Sequence, residues 1–281
     1  MLASPFSEPL SPLIDIGVNL VDKAFVGDQD RVLERAQGAG LTGLLLTGTD
    51  VKVSEQSLRL AERHAHWLRT TSGVHPHQAS DWSAEVASQI AELLQNPLVV
   101  AVGETGLDFN RNFSTPAEQE KAFEAQLELA AEVGKPLFIH EREAGERMLA
   151  ILKSWRDAIP GAVVHCFTGD KATLFGYLDL DLYVGFTGWV CDERRGTSLW
   201  PLLPSVPADR LLIETDAPWL LPRTARPKPK KGRNEPGLLP WVVAKIAELR
   251  QVEPQQLAWE TSHNAQRLFN LPDSFLTGTP S

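Results

Sequence analysis

Short apolar runs alternate with longer amphipathic stretches along almost the whole chain. Runs rich in Leu, Ile and Val at residues 13–18 (LIDIGV), 43–47 (GLLLT), 68–74 (LRTTSGV), 98–103, 137–139, 162–164, 182–186 and 211–213 have strand length, and turn residues bound many of them. That pattern predicts strands buried on both faces. Between them, apolar positions recur at three- and four-residue spacing over 28–39, 53–64, 84–94, 116–134, 145–159, 171–178 and 198–203, and again at 238–249 and 254–269. These spacings predict helices with one apolar face. The stretch 116–134 is the best specified. Thr115 can cap it, Pro116 occupies its first position, Glu118 completes a capping box, Phe123, Leu127 and Ala130 share a face, and Gly134 followed by Pro136 ends it. Eight strands alternating with helices predict an α/β fold, a (β/α)8 or TIM barrel, with the last two helices closing it. A doubly wound dinucleotide fold is disfavoured, because no GxGxxG follows the first run. Residues 1–12 are expected to be a loose tail and 13–281 a single domain.

Composition narrows this picture. The 281 residues are 43% apolar, enough for a large core, and the net charge of −9 argues against a chain that coats nucleic acid or membrane over a broad face. One segment runs the other way: 223–233, RTARPKPKKGR, carries six basic residues and no acidic one. On composition alone it reads as a solvated Pro/Lys loop. The two cysteines, Cys166 and Cys191, have no CxxC partner and suit a reducing compartment. The N-terminus matches neither a signal nor a transit peptide, and no apolar stretch approaches the ~20 residues of a membrane helix. The expectation is a cytoplasmic protein without a membrane partner. A monomer is the default, since no heptad or edge-strand signal points to a dimer.

The strand ends carry the chemistry. Val99–Asp108, VVAVGETGLD, is an apolar run that stops at Gly and delivers Glu104, a carboxylate too costly to bury without a partner. In a βα barrel the active site lies at the C-terminal strand ends. Those ends supply Asp15 and Asn19, His75 and His77 (GVHPH), Glu104, His140 (LFIHER), His165 (VVHCFTG) and Asp216 (IETDAPWL). Any one histidine is best explained as a satisfied core or loop residue. Four of the seven at one rim, beside two carboxylates, point instead to a divalent metal. Such an ion lowers the pKa of a bound water toward ~7. Arg142 stands two residues after His140, and Arg111, Arg194 and Arg195 add positive charge, which together suggest a phosphate ester as substrate. Individually, Arg194 and Arg195 read as surface salt-bridge partners.

DIGVNL, GVHPH, VGETGLDFNRN, the FTG after His165, GFTGWVCDERRG, IETDAPWLLPR, RNEP and NAQRLF together resemble the TatD family of metal-dependent deoxyribonucleases over residues 15 to about 269. DIGVNL, DFNRNFSTP and GWVCDERRG are similar to the branch that gives the family its name rather than to its paralogues. The resemblance implies a TIM-barrel, metal-dependent hydrolase of phosphodiesters, a 3′–5′ exonuclease preferring single-stranded DNA or RNA, with a part in repair of oxidative DNA damage. It implies metal ligands at Glu104, His140, His165 and Asp216, with Glu104 and Asp216 catalytic and Asp216 the general base. His75, His77, Arg111, Arg142 and Asn19 are expected to bind the substrate phosphate. The family's first-strand His-x-His pair is replaced by Gly17 and Asn19, so two-metal catalysis does not carry over; a second ion, if bound, would be bridged by Glu104. With fewer nitrogen ligands, Mg²⁺ is the first expectation, then Mn²⁺ or Zn²⁺. Phe109, Phe113, Trp189 and Trp219 lie in rim loops where bases could stack. An amidohydrolase or lactonase on the same scaffold is the alternative.

Overall fold

The computed structural model describes residues 4–229 and 232–277. Residues 1–3 of the expected tail, Lys230 and Lys231 of the basic segment, and 278–281 lie outside the described residues. The strands are β1 (Ile14–Val18), β2 (Gly43–Leu46), β3 (Leu68–Ser72), β4 (Val99–Asp108), β5 (Leu137–Arg142), β6 (Ala162–Val164), β7 (Tyr183–Phe186) and β8 (Leu211–Ile213). They form one eight-stranded sheet in the order β1 to β8. The pairings of β1 with β2, and of β3 to β7 in succession, are parallel. The helices are α1 (Gln29–Gly38), α2 (Val51–Arg63), α3 (Ala84–Leu93), α4 (Pro116–Val133), α5 (Gly145–Trp155), α6 (Lys171–Asp179), α7 (Leu239–Arg250), α8 (Pro254–Phe269) and the short α9 (Ser274–Thr277). This is the predicted βα alternation of a (β/α)8 barrel.

The chain divides into two compact units, Met1–Leu46 with Gly185–Ser281, and Thr47–Val184. In the second, β4 is buried over all ten residues and α4 packs on it, with Phe123, Leu127 and Ala130 fully inside. The capping box forms as the spacing predicts, Thr115 and Glu118 each accepting from the other's backbone N–H, and Gly134 closes the helix in the left-handed region. A cap of this kind stabilises a helix by about 1 kcal/mol. In the first unit, a parallel bridge joins Val18 to Ala217, linking β1 to the segment after β8. Leu10 is buried there, and the Ser11 carbonyl accepts from the Gln255 side chain.

Several boundaries differ from the pattern. The spacing predicts a helix over 198–203, but the structure holds turns there and a short 3-10 turn at Leu203–Ser205. Pro201, Pro204 and Pro207 recur every third residue and remove the amide donors a helix needs. α5 stops at Trp155 rather than continuing to Ile159, ahead of Pro160 and Gly161. The largest difference lies in β4. Glu104 is not at the strand end; the strand runs four residues further, to Asp108. Its register with β5 shifts between Gly103 and Thr105. Gly103 and Gly106 have φ of +146° and +139°, and a Cβ at either would collide with the carbonyl oxygen of Phe138 or His140. Two glycines therefore carry a strand past the point where its apolar run ends.

Candidate metal centre

Within the second unit, β5 and the segments that follow β3 and β6 bring imidazoles to one carboxylate on β4. Glu104 Oε1 lies 2.8 Å from His165 Nε2, 3.1 Å from His140 Nδ1 and 3.3 Å from His75 Nε2. All three imidazoles and the carboxylate are largely buried. A second carboxylate, not singled out from the sequence, completes the arrangement. Asp108 Oδ2 lies 2.8 Å from His77 Nε2 and 3.3 Å from His140 Nε2. The signal for it was present: Glu104 and Asp108 are four residues apart, and in an extended strand residues i, i+2 and i+4 face one way. It was hidden because the apolar run stops at Gly103.

Helix α4 fixes the backbone under these side chains. Gln119 and Gln126, seven residues apart on its buried face, clamp main-chain groups of the neighbouring strand ends. Gln119 Oε1 accepts from Asp108 N at 2.7 Å and its Nε2 donates to Asp108 O at 3.0 Å. Gln126 does the same to Val74, next to His75, at 2.8 and 3.1 Å. Two amides in an otherwise apolar helix face thus satisfy backbone groups that no strand partner reaches.

Electrostatics follow from this crowding. Burial pushes the Glu104 carboxyl up, but the imidazoles of His75 and His165 and the hydrogen bonds from His140 and His165 outweigh it and hold it well below the ordinary range. Burial pushes His75 down to about 4, against the pull of Glu104. His140 is also penalised by burial, yet its bonds to Asp108 and Glu104 raise it overall. For Asp108, burial is overcome by His140, His77 and the Arg111 N–H, leaving it far below the usual carboxylate range. Both carboxylates are therefore ionised at neutral pH, and His75 is neutral.

The same contacts test the fit of a metal. Ligand atoms of His75, Glu104 and His140 all lie within 4.8 Å of one another, an imidazole–carboxylate set that suits a divalent ion. Proton placement refines this set. His75 Nδ1 accepts the backbone N–H of His77 at 3.0 Å, so a neutral His75 carries its proton on Nε2, facing Glu104.

The first unit holds the remaining candidates. Asn19 Nδ2 donates to Asp216 Oδ1 at 3.1 Å, and the Asp216 N–H donates to the Gly17 carbonyl at 2.9 Å, so these two predicted residues meet. Asp15 is wholly buried and serves as a brace: it accepts from the N–H of Gly17 and Thr215 and pairs with the Thr215 hydroxyl. Arg194 and Arg195 both bond Asp192, as expected of salt-bridge residues. Within the basic segment, Arg223 bonds Glu193, Arg233 bonds Asp28 and Glu235, and Arg226 donates to backbone carbonyls. Two of its six basic residues, Arg223 and Arg233, are thus paired with carboxylates. Arg111 has an exposed side chain, and Arg142 is half-buried on β5.

A family model described as TatD related DNase matches residues 14–270. The chain belongs to this family. A curated relative from Erwinia amylovora, named 3′-5′ ssDNA/RNA exonuclease TatD, is 54% identical over 259 residues, covering 92% of this chain and 100% of the relative. A Salmonella typhimurium protein of the same name is 54% identical over 260 residues, covering 92% and 99%. Among solved structures, the TatD homolog YJJV from Escherichia coli superposes with a TM-score of 0.84 at 28% identity, over 92% of this chain and 98% of that one. A Saccharomyces cerevisiae structure titled an uncharacterized amidohydrolase, at 24% identity and a TM-score of 0.80, shows the shared fold alone. Membership in the TatD-related DNases gives the barrel its hydrolase type. Among the described residues, no helix is long and apolar enough to cross a membrane.

Proposed function

We propose that this TatD-related DNase is a metal-dependent exonuclease that removes nucleotides from the 3′ end of single-stranded DNA or RNA. The observation that carries the reading is Glu104, a buried carboxylate whose single oxygen faces three imidazoles, in a chain 54% identical to proteins named for that activity. Glu104, His140 and His165 would hold the ion. When bound, the ion polarises the phosphate and acidifies water. His75, locked as an Nε2–H donor, is suited to hydrogen-bond a phosphate oxygen or to steady Glu104. Arg111, exposed on the loop after β4, is suited to pair with the substrate backbone. Asp216, held by Asn19, keeps the role of general base that its motif implies. Mg²⁺ or Mn²⁺ is the proposed ion, with the imidazole share of the ligands favouring Mn²⁺.

Treatment with a chelator is expected to abolish shortening of a 5′-labelled single-stranded oligonucleotide, and Mn²⁺ or Mg²⁺ to restore it with products receding from the 3′ end. Activity persisting after the metal is stripped would sink the proposal. An amide or lactone panel should give no comparable turnover.

Phe113 supplies the preference for single strands. Its ring is 66% exposed and meets His77 edge-on at 4.8 Å, leaving a free face beside the buried cluster. Stacking on an aromatic ring contributes about 1–3 kcal/mol per base and ignores sequence. Phe113→Ala is therefore expected to raise KM for single-stranded DNA between about five- and a hundredfold with kcat little changed. An unchanged KM would assign the ring to packing instead.

A further inference from the structure

In the first unit, the loop after β7, residues 187–196, sets one buried carboxylate under two arginines. Asp192 Oδ1 accepts the Arg194 backbone N–H at 3.0 Å and Arg194 Nε at 3.1 Å, while Oδ2 accepts Arg194 Nη2 at 3.2 Å and Arg195 Nε at 2.9 Å. The loop's other acid is already matched, because Arg223 forks onto Glu193 through Nε and Nη2 at 3.1 and 2.8 Å. Two guanidinium charges thus share Asp192, and one positive charge is left over. Arg195 Cζ also lies 4.4 Å from the centre of the Trp189 ring, which fixes its plane. The side chains of Arg194 and Arg195 are 60% and 56% exposed. Ion pairs so exposed add little to stability, so the fold alone does not account for them. Among the described residues, Arg194 Nη1 and both Arg195 Nη groups meet no acceptor. The loop also lies against the segment that carries Asp216: a Cβ on Gly188 would collide with the carbonyl oxygen of Leu220. Both segments follow C-terminal strand ends, where barrel enzymes hold their substrates.

We propose that Arg194 and Arg195, set by Asp192 and Trp189, bind backbone phosphates of the substrate strand on the 5′ side of the bond being cleaved. The inference rests on the exonuclease reading above, since removal from the 3′ end leaves the rest of the strand on that side. A guanidinium fork matches a phosphate, and arginines already held in place lose less freedom when the strand arrives. Phosphate contacts carry no base information, so this site holds any sequence. Neither arginine meets the reacting phosphate. They act on affinity, and on its dependence on strand length, rather than on the chemical step.

The test uses the full chain and two substitutions, Arg194→Gln and Arg195→Gln. Each leaves the other arginine on Asp192, so the buried carboxylate keeps a partner. Fluorescence anisotropy with a phosphorothioate oligothymidylate a dozen nucleotides long should show each variant binding about 5–20-fold more weakly at low salt. The slope of log K against log salt should shrink by about 0.7, the value for one phosphate of a single strand. In turnover, the kcat/KM advantage of a strand of that length over a dinucleotide should fall by the same factor as the affinity. Unchanged affinity and slope in either variant overturn the proposal. An equal loss on both substrate lengths does so too, because it would put the arginines on the reacting phosphate. If the wild-type protein degrades no single strand yet the affinity losses appear, the exonuclease reading fails and the backbone site stands. If it removes nucleotides from the 3′ end and neither variant alters the length preference, the site fails and the exonuclease reading stands.

Discussion

Glu104→Gln should reduce hydrolysis of single-stranded DNA by at least about 10³-fold while leaving the protein folded. The size follows from the number of groups that depend on one oxygen. Glu104 Oε1 is within 3.3 Å of three imidazole nitrogens from β5 and from the segments after β3 and β6. Gln has the same shape, so packing is preserved. Its amide carries no charge, so it neither balances a divalent cation nor accepts three donors at once. The imidazoles lose the partner that keeps the cluster satisfied at neutral pH, and metal affinity should fall together with the rate. Stability should change far less. Removing a carboxylate from water-free surroundings relieves a desolvation cost that its attraction to the imidazoles had offset, and His75 is already neutral there. Calorimetric metal titration, single-turnover cleavage and thermal melting on one preparation separate these effects. A rate within tenfold of wild type would remove Glu104 from the site. A collapsed melting transition would show its role to be structural.

What was legible in the sequence, and what was not, has a physical division. Strand and helix alternation is written in the hydrophobic period, and α4 carried every one of its signals, so both appear as predicted. His75, His77, Glu104, His140 and His165 stood out because four of the seven histidines fall just where the apolar runs stop, beside a carboxylate, and the structure brings all five together. Asp108 was missed because strand length was judged from apolar residues. A strand carried on by Gly103 and Gly106 has only Leu107 as an apolar residue in its last part. Gln119 and Gln126 were missed because amides on a helix ordinarily face water; only the backbone they clamp explains their burial. The orientation of His75 lies beyond any sequence pattern, since it depends on which neighbour donates to Nδ1. The basic segment shows the converse, a conspicuous charge run in which Arg223 and Arg233 turn out to serve Glu193, Asp28 and Glu235.

Asp15→Asn should make the protein more stable at pH 8 by a few kcal/mol and change little near pH 4. Burial pushes the Asp15 carboxyl up to about 7, and the bonds from the Thr215 hydroxyl, the Thr215 N–H and the Gly17 N–H only partly oppose it. A group whose pKa is higher in the folded state than in the unfolded chain stabilises the fold when protonated. That contribution is complete below the ordinary value of 3.8 and is lost as pH rises through about 7. Three units correspond to roughly 4 kcal/mol, and with no exposed surface the side chain has no solvent to screen it. Asn reproduces the protonated form at every pH. Its oxygen can accept from Gly17 and Thr215 N–H, now at 3.2 and 3.0 Å, and its amide can donate to the Thr215 hydroxyl. The wild-type profile also contains an opposing component. His75 falls from 6.5 to about 4 on folding, so its contribution is present above 6.5 and lost as pH drops through about 4. The variant removes one slope and leaves the other. In urea titrations, the stability difference between variant and wild type should therefore grow by about 1.4 kcal/mol per pH unit between roughly pH 4 and 7 and then level off. A difference that stays flat across that range would show that Asp15 is ionised in the fold, held by Thr215 strongly enough to overcome its burial.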